Sequence, residues 1–177
     1  MRILQTLLLA TALPSFAAAQ SYDGFSVGGQ LSYGDAETSG AADLDGEDFL
    51  FGLRAYYDFD TGAGFLIGGG LQYDTTDIDL DWLASVDDVF RVAIRGGAEA
   101  GGIYYYGTVG YVQASTSGDA DAGDGEGYFV GAGLETFVAD QVTVGGEILY
   151  HEIDGFDNID TLDAEVLTIG ANVNYRF

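Results

Sequence analysis

His151 is the single histidine of this 177-residue chain, and it stands beside Glu152. A histidine next to a carboxylate is half of the machinery for acyl transfer, needing a serine to activate. No serine lies within two residues of it, and Ser85, Ser115 and Ser117 fall in other segments. A lone histidine at the end of an apolar-alternating stretch reads as structural. No catalytic residue is therefore assigned, and the chain is expected not to be an enzyme.

The second chemistry on offer is hard-cation binding. Asp77, Asp79 and Asp81 have the first three ligand spacings of a helix–loop–helix calcium site. Trp82 occupies the position where such a loop needs glycine, and no glutamate follows in place. Asp119, Asp121 and Asp124 miss the pattern in other ways. No metal or cofactor is assigned; the acids read as a solvated rim, with divalent cations as diffuse partners at most. Trp82, with Leu80 and Leu83, forms an apolar island that pins its loop or contacts another surface molecule.

The third set carries both signs of charge. Arg54, Arg91, Arg95, Glu135 and Glu147, with Gln30, all fall on the less apolar face of alternating segments. Arginines and carboxylates held together away from water form charge-assisted, often bidentate hydrogen bonds. Such a network is either structural filling or a gate.

These residues need strands to position them. The chain ends VLTIGANVNYRF, where Leu167, Ile169, Ala171, Val173, Tyr175 and Phe177 share one face. The intervening residues are small or polar, which is the period of a strand with unlike surroundings on its two sides. Acidic, Gly-rich stretches cut the rest into seven more such segments, at about 24–34, 48–59, 64–74, 88–98, 102–113, 127–138 and 142–151. The connections alternate: tight turns near 60–63, 99–101 and 139–141, and longer loops elsewhere. Counting the fourth segment from Phe90, no charged residue falls on the more apolar parity, and every arginine after Arg2 falls on the other. Interior glycines (Gly28, Gly68, Gly70, Gly131, Gly133, Gly145) leave room for long side chains or relieve curvature.

Composition supports strands. There are 28 Gly, 12 Tyr, 11 Phe, no Cys and one Pro, Pro14, which lies in the N-terminal apolar run. Every later backbone amide can join a ladder, and no disulfide framework is available. The formal net charge is −24, with no lysine, which argues against nucleic acid as a partner. Met1-Arg2, an apolar run and Ala17-Ala18-Ala19 have the form of a secretory signal peptide. Residues 1–19 are expected to be cleaved, leaving one domain over 20–177.

Eight alternating strands, stretches such as GYFVGAGLETFVADQVTVGGEILYHEI and the terminal Asn174-Tyr175-Arg176-Phe177 resemble the small outer-membrane β-barrels. The resemblance is to the OmpA transmembrane domain and the OmpX and opacity-type proteins. It implies an all-β, eight-stranded antiparallel up-and-down barrel in the bacterial outer membrane, with periplasmic turns and extracellular loops. Partners implied are outer-membrane lipid and lipopolysaccharide, and the barrel-assembly machinery, which would engage the strand ending at Phe177. The chain is expected to be a monomer. Some barrels of this kind modify lipid A with serine, histidine and a carboxylate, so His151 keeps an enzyme as a remote alternative. The favoured role is a plugged barrel with a structural or surface-interaction function; the main alternative is a narrow porin-like channel.

Overall fold

The computed structural model describes residues 20–40, 45–80, 84–117, 125–154 and 162–177. The expected signal peptide, Asp81, Trp82, Leu83, Asp119, Asp121 and Asp124 lie outside the described residues. Eight strands follow one another: β1 (Gly24–Gly40), β2 (Asp45–Asp60), β3 (Phe65–Leu80), β4 (Ala84–Ala100), β5 (Ile103–Ser117), β6 (Gly125–Ala139), β7 (Val142–Asp154) and β8 (Leu162–Arg176). Each pairs antiparallel with its neighbours, and β8 returns to β1, so the sheet closes. Closure leaves the membrane-height ladder without a free edge. In the closing pair Val27 stands opposite Tyr175 and Tyr33 opposite Ile169, and Phe177 N–H donates to the Phe25 carbonyl at 2.9 Å.

One end of the barrel carries the tight connections. Gly101 and Gly102 both have positive φ, at 64° and 80°, as a two-residue hairpin turn matching strand twist requires. The β2–β3 turn is built on Gly62, Ala63 and Gly64, and its Asp60 carboxylate accepts from Gly62 N–H at 2.7 Å.

Alternation explains which side each residue faces. Leu53, Phe51, Ile94, Ile169 and Phe177 are each at least 60 % exposed on the outer wall, whereas Arg95 and Tyr56 are 1 % and 2 % exposed inside. An outer wall of Phe, Leu, Ile, Val and Tyr has no counterpart on a water-soluble barrel, where such residues would be turned inward. Tyr33 and Tyr128 sit high on this wall, each donating its hydroxyl to a neighbouring carboxylate, Glu47 and Glu152 respectively. Aromatic residues with a polar tip suit a headgroup level.

The strands run farther toward the long-loop end than apolar alternation alone indicates. β1 reaches Gly40 instead of 34, β3 reaches Leu80 instead of 74, and β4 begins at Ala84 instead of 88. Above the apolar belt these hairpins remain paired in water, where polar residues on both faces cost nothing and hydropathy ceases to mark the strand. Among the described residues, the β2–β3 register runs up to Phe51↔Thr75.

The interior is filled by two apolar clusters and a charged network. Leu50, Val89, Val112, Phe129, Ile153 and Ala164 belong to the first cluster. Tyr22, Leu66 and Tyr104, with Phe137, form the second at the short-turn end. Asp74 pairs across the ladder with Val89, Arg91 with Val112 and His151 with Phe129, so these polar residues share the rungs of the first cluster.

Candidate functional site

An eight-stranded barrel is only wide enough inside for side chains. The local rule that fills this one is a glycine on the rung between two partners. Gln30 on β1 stands opposite Gly52 on β2, which stands opposite Asp74 on β3. Gln30 Nε2 reaches over that glycine to donate to Asp74 Oδ1 at 2.7 Å. Asp58, Gly68 and Arg95 form the same rung on β2, β3 and β4. There Arg95 Nε and Nη2 donate to the two Asp58 oxygens at 2.8 and 2.6 Å. Tyr106, Gly133 and Glu147 repeat it on β5, β6 and β7, with the tyrosine hydroxyl donating to Glu147 at 2.8 Å. At Gly145 an added Cβ would sit 2.9 Å from both Asn172 Oδ1 and Glu135 Cγ. The glycines therefore make room for the network.

The remaining contacts join these rungs into one network. Arg95 Nη1 donates to Glu135 at 2.9 Å, and Arg176 Nη2 donates to the other Glu135 oxygen at 2.9 Å. Arg176 Nη1 also reaches Asp58 at 3.2 Å. Higher up, Arg54 bonds Glu147 at 3.3 Å, and Arg91 pairs with Asp74. The Arg95 guanidinium lies over the Tyr56 ring at 4.0 Å and the Tyr106 ring at 4.9 Å. Among the described residues, Arg54, Arg91, Arg95 and Arg176 are thus balanced by Asp58, Asp74, Glu135 and Glu147. A buried network of this kind is stable only when each charge is both paired and hydrogen-bonded.

The structure brings Gln30, Arg54, Arg91, Arg95, Glu135 and Glu147 into this lumen. Asp74, at the end of the segment expected over 64–74, joins them: it is fully buried, held by Gln30 and Arg91. Its parity with Gln72 is the signal that would have placed it. Asp58 and Arg176 also belong to the central network, which alternation alone does not show. Asp77 and Asp79 lie on the upper part of β3, away from the network; Asp81 and Trp82 fall outside the described residues. Among the described residues, no three acids or histidines are placed to share a metal ion.

His151 is also inside, 1 % exposed. Arg91 Nε donates to its Nε2 at 2.8 Å, and its Nδ1 lies 3.0 Å from the Val166 carbonyl. Those contacts assign the proton to Nδ1, leaving Nε2 as acceptor. Both nitrogens are engaged, so neither is offered to a nucleophile.

The short-turn end is stopped by a residue ahead of β1. Tyr22 is 2 % exposed, and its hydroxyl lies 2.8 Å from the Gly102 carbonyl and 2.9 Å from that of Glu135. Its own carbonyl accepts from Arg176 Nη1 at 2.6 Å. Burial raises its phenol above the ordinary value. Nothing in the alternation pattern marks Tyr22, since it precedes the first strand.

The family model of the outer membrane protein beta-barrel domain matches residues 5–177. No curated protein matches significantly. Among solved structures the fold is similar to Neisserial surface protein A, at 16% identity and TM-score 0.55, covering 88% of this chain and 98% of that one. It is similar also to the outer membrane protein OprG of Pseudomonas aeruginosa, at 12% identity and TM-score 0.55, covering 90% and 99%. A third is Ail, the attachment invasion locus protein of Yersinia pestis, solved with the heparin analogue sucrose octasulfate, at 15% identity and TM-score 0.50, covering 86% and 99%. The charge-filled closed barrel, its apolar outer wall and the family match over nearly the whole sequence lead to one conclusion: this chain belongs to the outer membrane protein β-barrel domain family and is an eight-stranded barrel of the bacterial outer membrane.

Proposed function

We propose that this protein is a closed, non-conducting barrel whose role is structural and whose acidic strands and loops are displayed to the exterior. The carrying observation is the filling of the lumen. A charge-balanced network packs among one apolar cluster and, at the short-turn end, a second that includes Tyr22. A permeating ion would have to displace paired buried charges and the apolar side chains packed around them. His151, with both ring nitrogens occupied, favours a non-enzymatic reading. Residues 1–19 are read as a signal peptide removed before the barrel forms.

The partners follow from the surfaces. The outer wall is read as facing lipid and lipopolysaccharide, the strand ending in Phe177 as the segment the assembly machinery engages, and the protein as a monomer. With a net charge of −24, a polyanion such as the ligand bound by Ail is disfavoured, and cations are the expected company of the rim.

A narrow channel is the second reading, and Arg54 is what favours it. Its contacts are long, at 3.3 Å to Glu147, 3.5 Å to Gln30 and 3.9 Å to Glu135, and its buried Nε has no partner among the described residues. Planar-bilayer conductance of the purified protein decides between the two. The plug requires no steady openings in the native protein; steady openings that change in Glu147→Gln or Arg54→Gln would establish the pore.

A further inference from the structure

His151 takes no part in the network around Arg95, yet it stands in the middle of a second chain of hydrogen bonds that crosses the lumen. Gln30 Nε2 on β1 donates to Asp74 Oδ1 on β3 at 2.7 Å. Arg91 Nη1 on β4 donates to the other oxygen of that carboxylate. Arg91 Nε donates to His151 Nε2 on β7 at 2.8 Å, and His151 Nδ1–H donates to the Val166 carbonyl on β8 at 3.0 Å. Because β8 pairs with β1, the two ends of this tie meet on adjacent strands.

Five strands are thus joined across the lumen, and the join works in one protonation state only. A guanidinium can only donate, so His151 Nε2 must carry a lone pair. A proton on Nε2 sets N–H against N–H and imidazolium against guanidinium, and the link between β4 and β7 is lost.

The surroundings offer an imidazolium nothing in exchange. β6 presents the Phe129 ring, with centroids 5.6 Å apart, and β5 and β8 contribute Val112 and Val166 to the same apolar cluster. On β3 the Asp74 carboxylate is already held by Gln30 and Arg91, and Gln72 Oε1 lies 3.5 Å from Arg91 Nη1. Glu147, four residues back along β7, accepts from Tyr106 and Arg54. Asp48, on the Leu50 parity of β2, accepts from Phe49 N–H at 2.6 Å. The sequence neighbour Glu152 is on the outer wall with Tyr128. With His151 buried, water cannot take the charge either.

We propose that His151 is an acid-sensitive latch: at neutral pH it fastens β7 to β4 across the lumen, and its protonation releases the half of the barrel farther from the short turns while the network of Arg95, Asp58, Glu135 and Arg176 stays closed. The sign follows from linkage. The latched state holds a neutral imidazole, whereas the released state lets it titrate near its ordinary value of about 6.5. Opening is therefore independent of pH above that value and becomes easier as pH falls below it. Nothing in this depends on whether the lumen conducts.

The test uses the full chain, without an added histidine tag, folded in phosphocholine micelles. Amide hydrogen exchange, corrected for its intrinsic pH dependence, gives local opening constants at about pH 7.5 and about pH 5.5, either side of the imidazole's ordinary range. For residues 89–93, 149–153 and 164–168 these constants should rise about tenfold between the two conditions. Those of residues 56–58, 95–97 and 133–135 should stay unchanged. In His151→Gln, which keeps one acceptor and one donor but takes no proton, the rise should disappear. A second measurement needs no variant: the nitrogen shifts of the single imidazole should report the neutral Nδ1–H form in the latched barrel under both conditions. No rise in acid, a rise spread evenly over the barrel, or the same rise in His151→Gln would overturn the proposal. So would an imidazolium in a barrel whose exchange is unchanged.

Discussion

Arg95 and Asp58 stand two strands apart with Gly68 on the rung between them, and their side chains close over that glycine in a bidentate pair at 2.8 and 2.6 Å. The missing side chain at position 68 lets a guanidinium and a carboxylate meet across an intervening strand. The same geometry recurs at Gly52 and Gly133. Three of the main lumen contacts thus depend on a residue that makes none of them.

Gly68→Ala is expected to destabilise the barrel by about 1–3 kcal/mol, because its Cβ must displace the Asp58 carboxylate or the backbone beside it. Gly69→Ala is the control: its Cβ points to the outer wall, with Ala93 O the nearest atom at 3.5 Å, an ordinary contact. Urea midpoints of the two variants in lipid vesicles check this. Equal midpoints would remove the space-making role of Gly68.

Asp58 serves two guanidiniums, those of Arg95 and Arg176. Asp58→Asn leaves both buried with Glu135 as their remaining shared carboxylate, at a cost of about 3–5 kcal/mol. Replacing Arg95 by Met in the same chain should recover part of that loss, since the uncompensated charge is removed with it. A double-mutant cycle from equilibrium unfolding measures the coupling; strict additivity of the two substitutions would show that the pair is not energetically joined.

The parity of every arginine after Arg2 is legible in the sequence, because a strand has a period of two and a charged residue on the lipid face would stand out. The rung is not legible. Alternation says that Arg95 and Asp58 both face inward, but only register says that Gly68 lies between them. Asp74 was hidden by its neighbours, since Thr75-Thr76-Asp77 continues into an acidic stretch that resembles loop. The apolar inner layers were hidden for the opposite reason: in Phe49-Leu50-Phe51 both parities are apolar, so Leu50 gives no sign that it faces the lumen. The described β2–β3 register begins at Phe51↔Thr75, and hydropathy does not record where a ladder begins.

Tyr22 should contribute stability out of proportion to its position before the first strand. Tyr22→Phe removes its hydroxyl contacts with the Gly102 and Glu135 carbonyls and is expected to cost about 1–2 kcal/mol. Tyr22→Ala also removes packing on Tyr104 and Phe137, at ring distances of 5.4 and 4.8 Å, for a total of about 3 kcal/mol or more. Thermal gel-mobility midpoints should fall in the order native, Phe, Ala. Indistinguishable midpoints would mean that Tyr22 rests in the mouth without holding it.

The outer wall makes the last prediction. Leu53 is 70 % exposed and lies midway between Phe49 and Tyr57 along β2. If that wall meets hydrocarbon, Leu53→Arg places a guanidinium near the bilayer midplane and should cost about 2–4 kcal/mol, while Phe59→Arg, near the short-turn end, should cost about 0–1 kcal/mol. The depth dependence is the discriminating feature. On a barrel surrounded by water both arginines would be harmless, since each would replace an exposed apolar side chain with a soluble one. Reversible urea unfolding in vesicles, repeated in shorter- and longer-chain lipids, reads the difference directly. The gap between the two variants should widen as the bilayer thickens, because a thicker hydrocarbon layer leaves the guanidinium at position 53 farther from water.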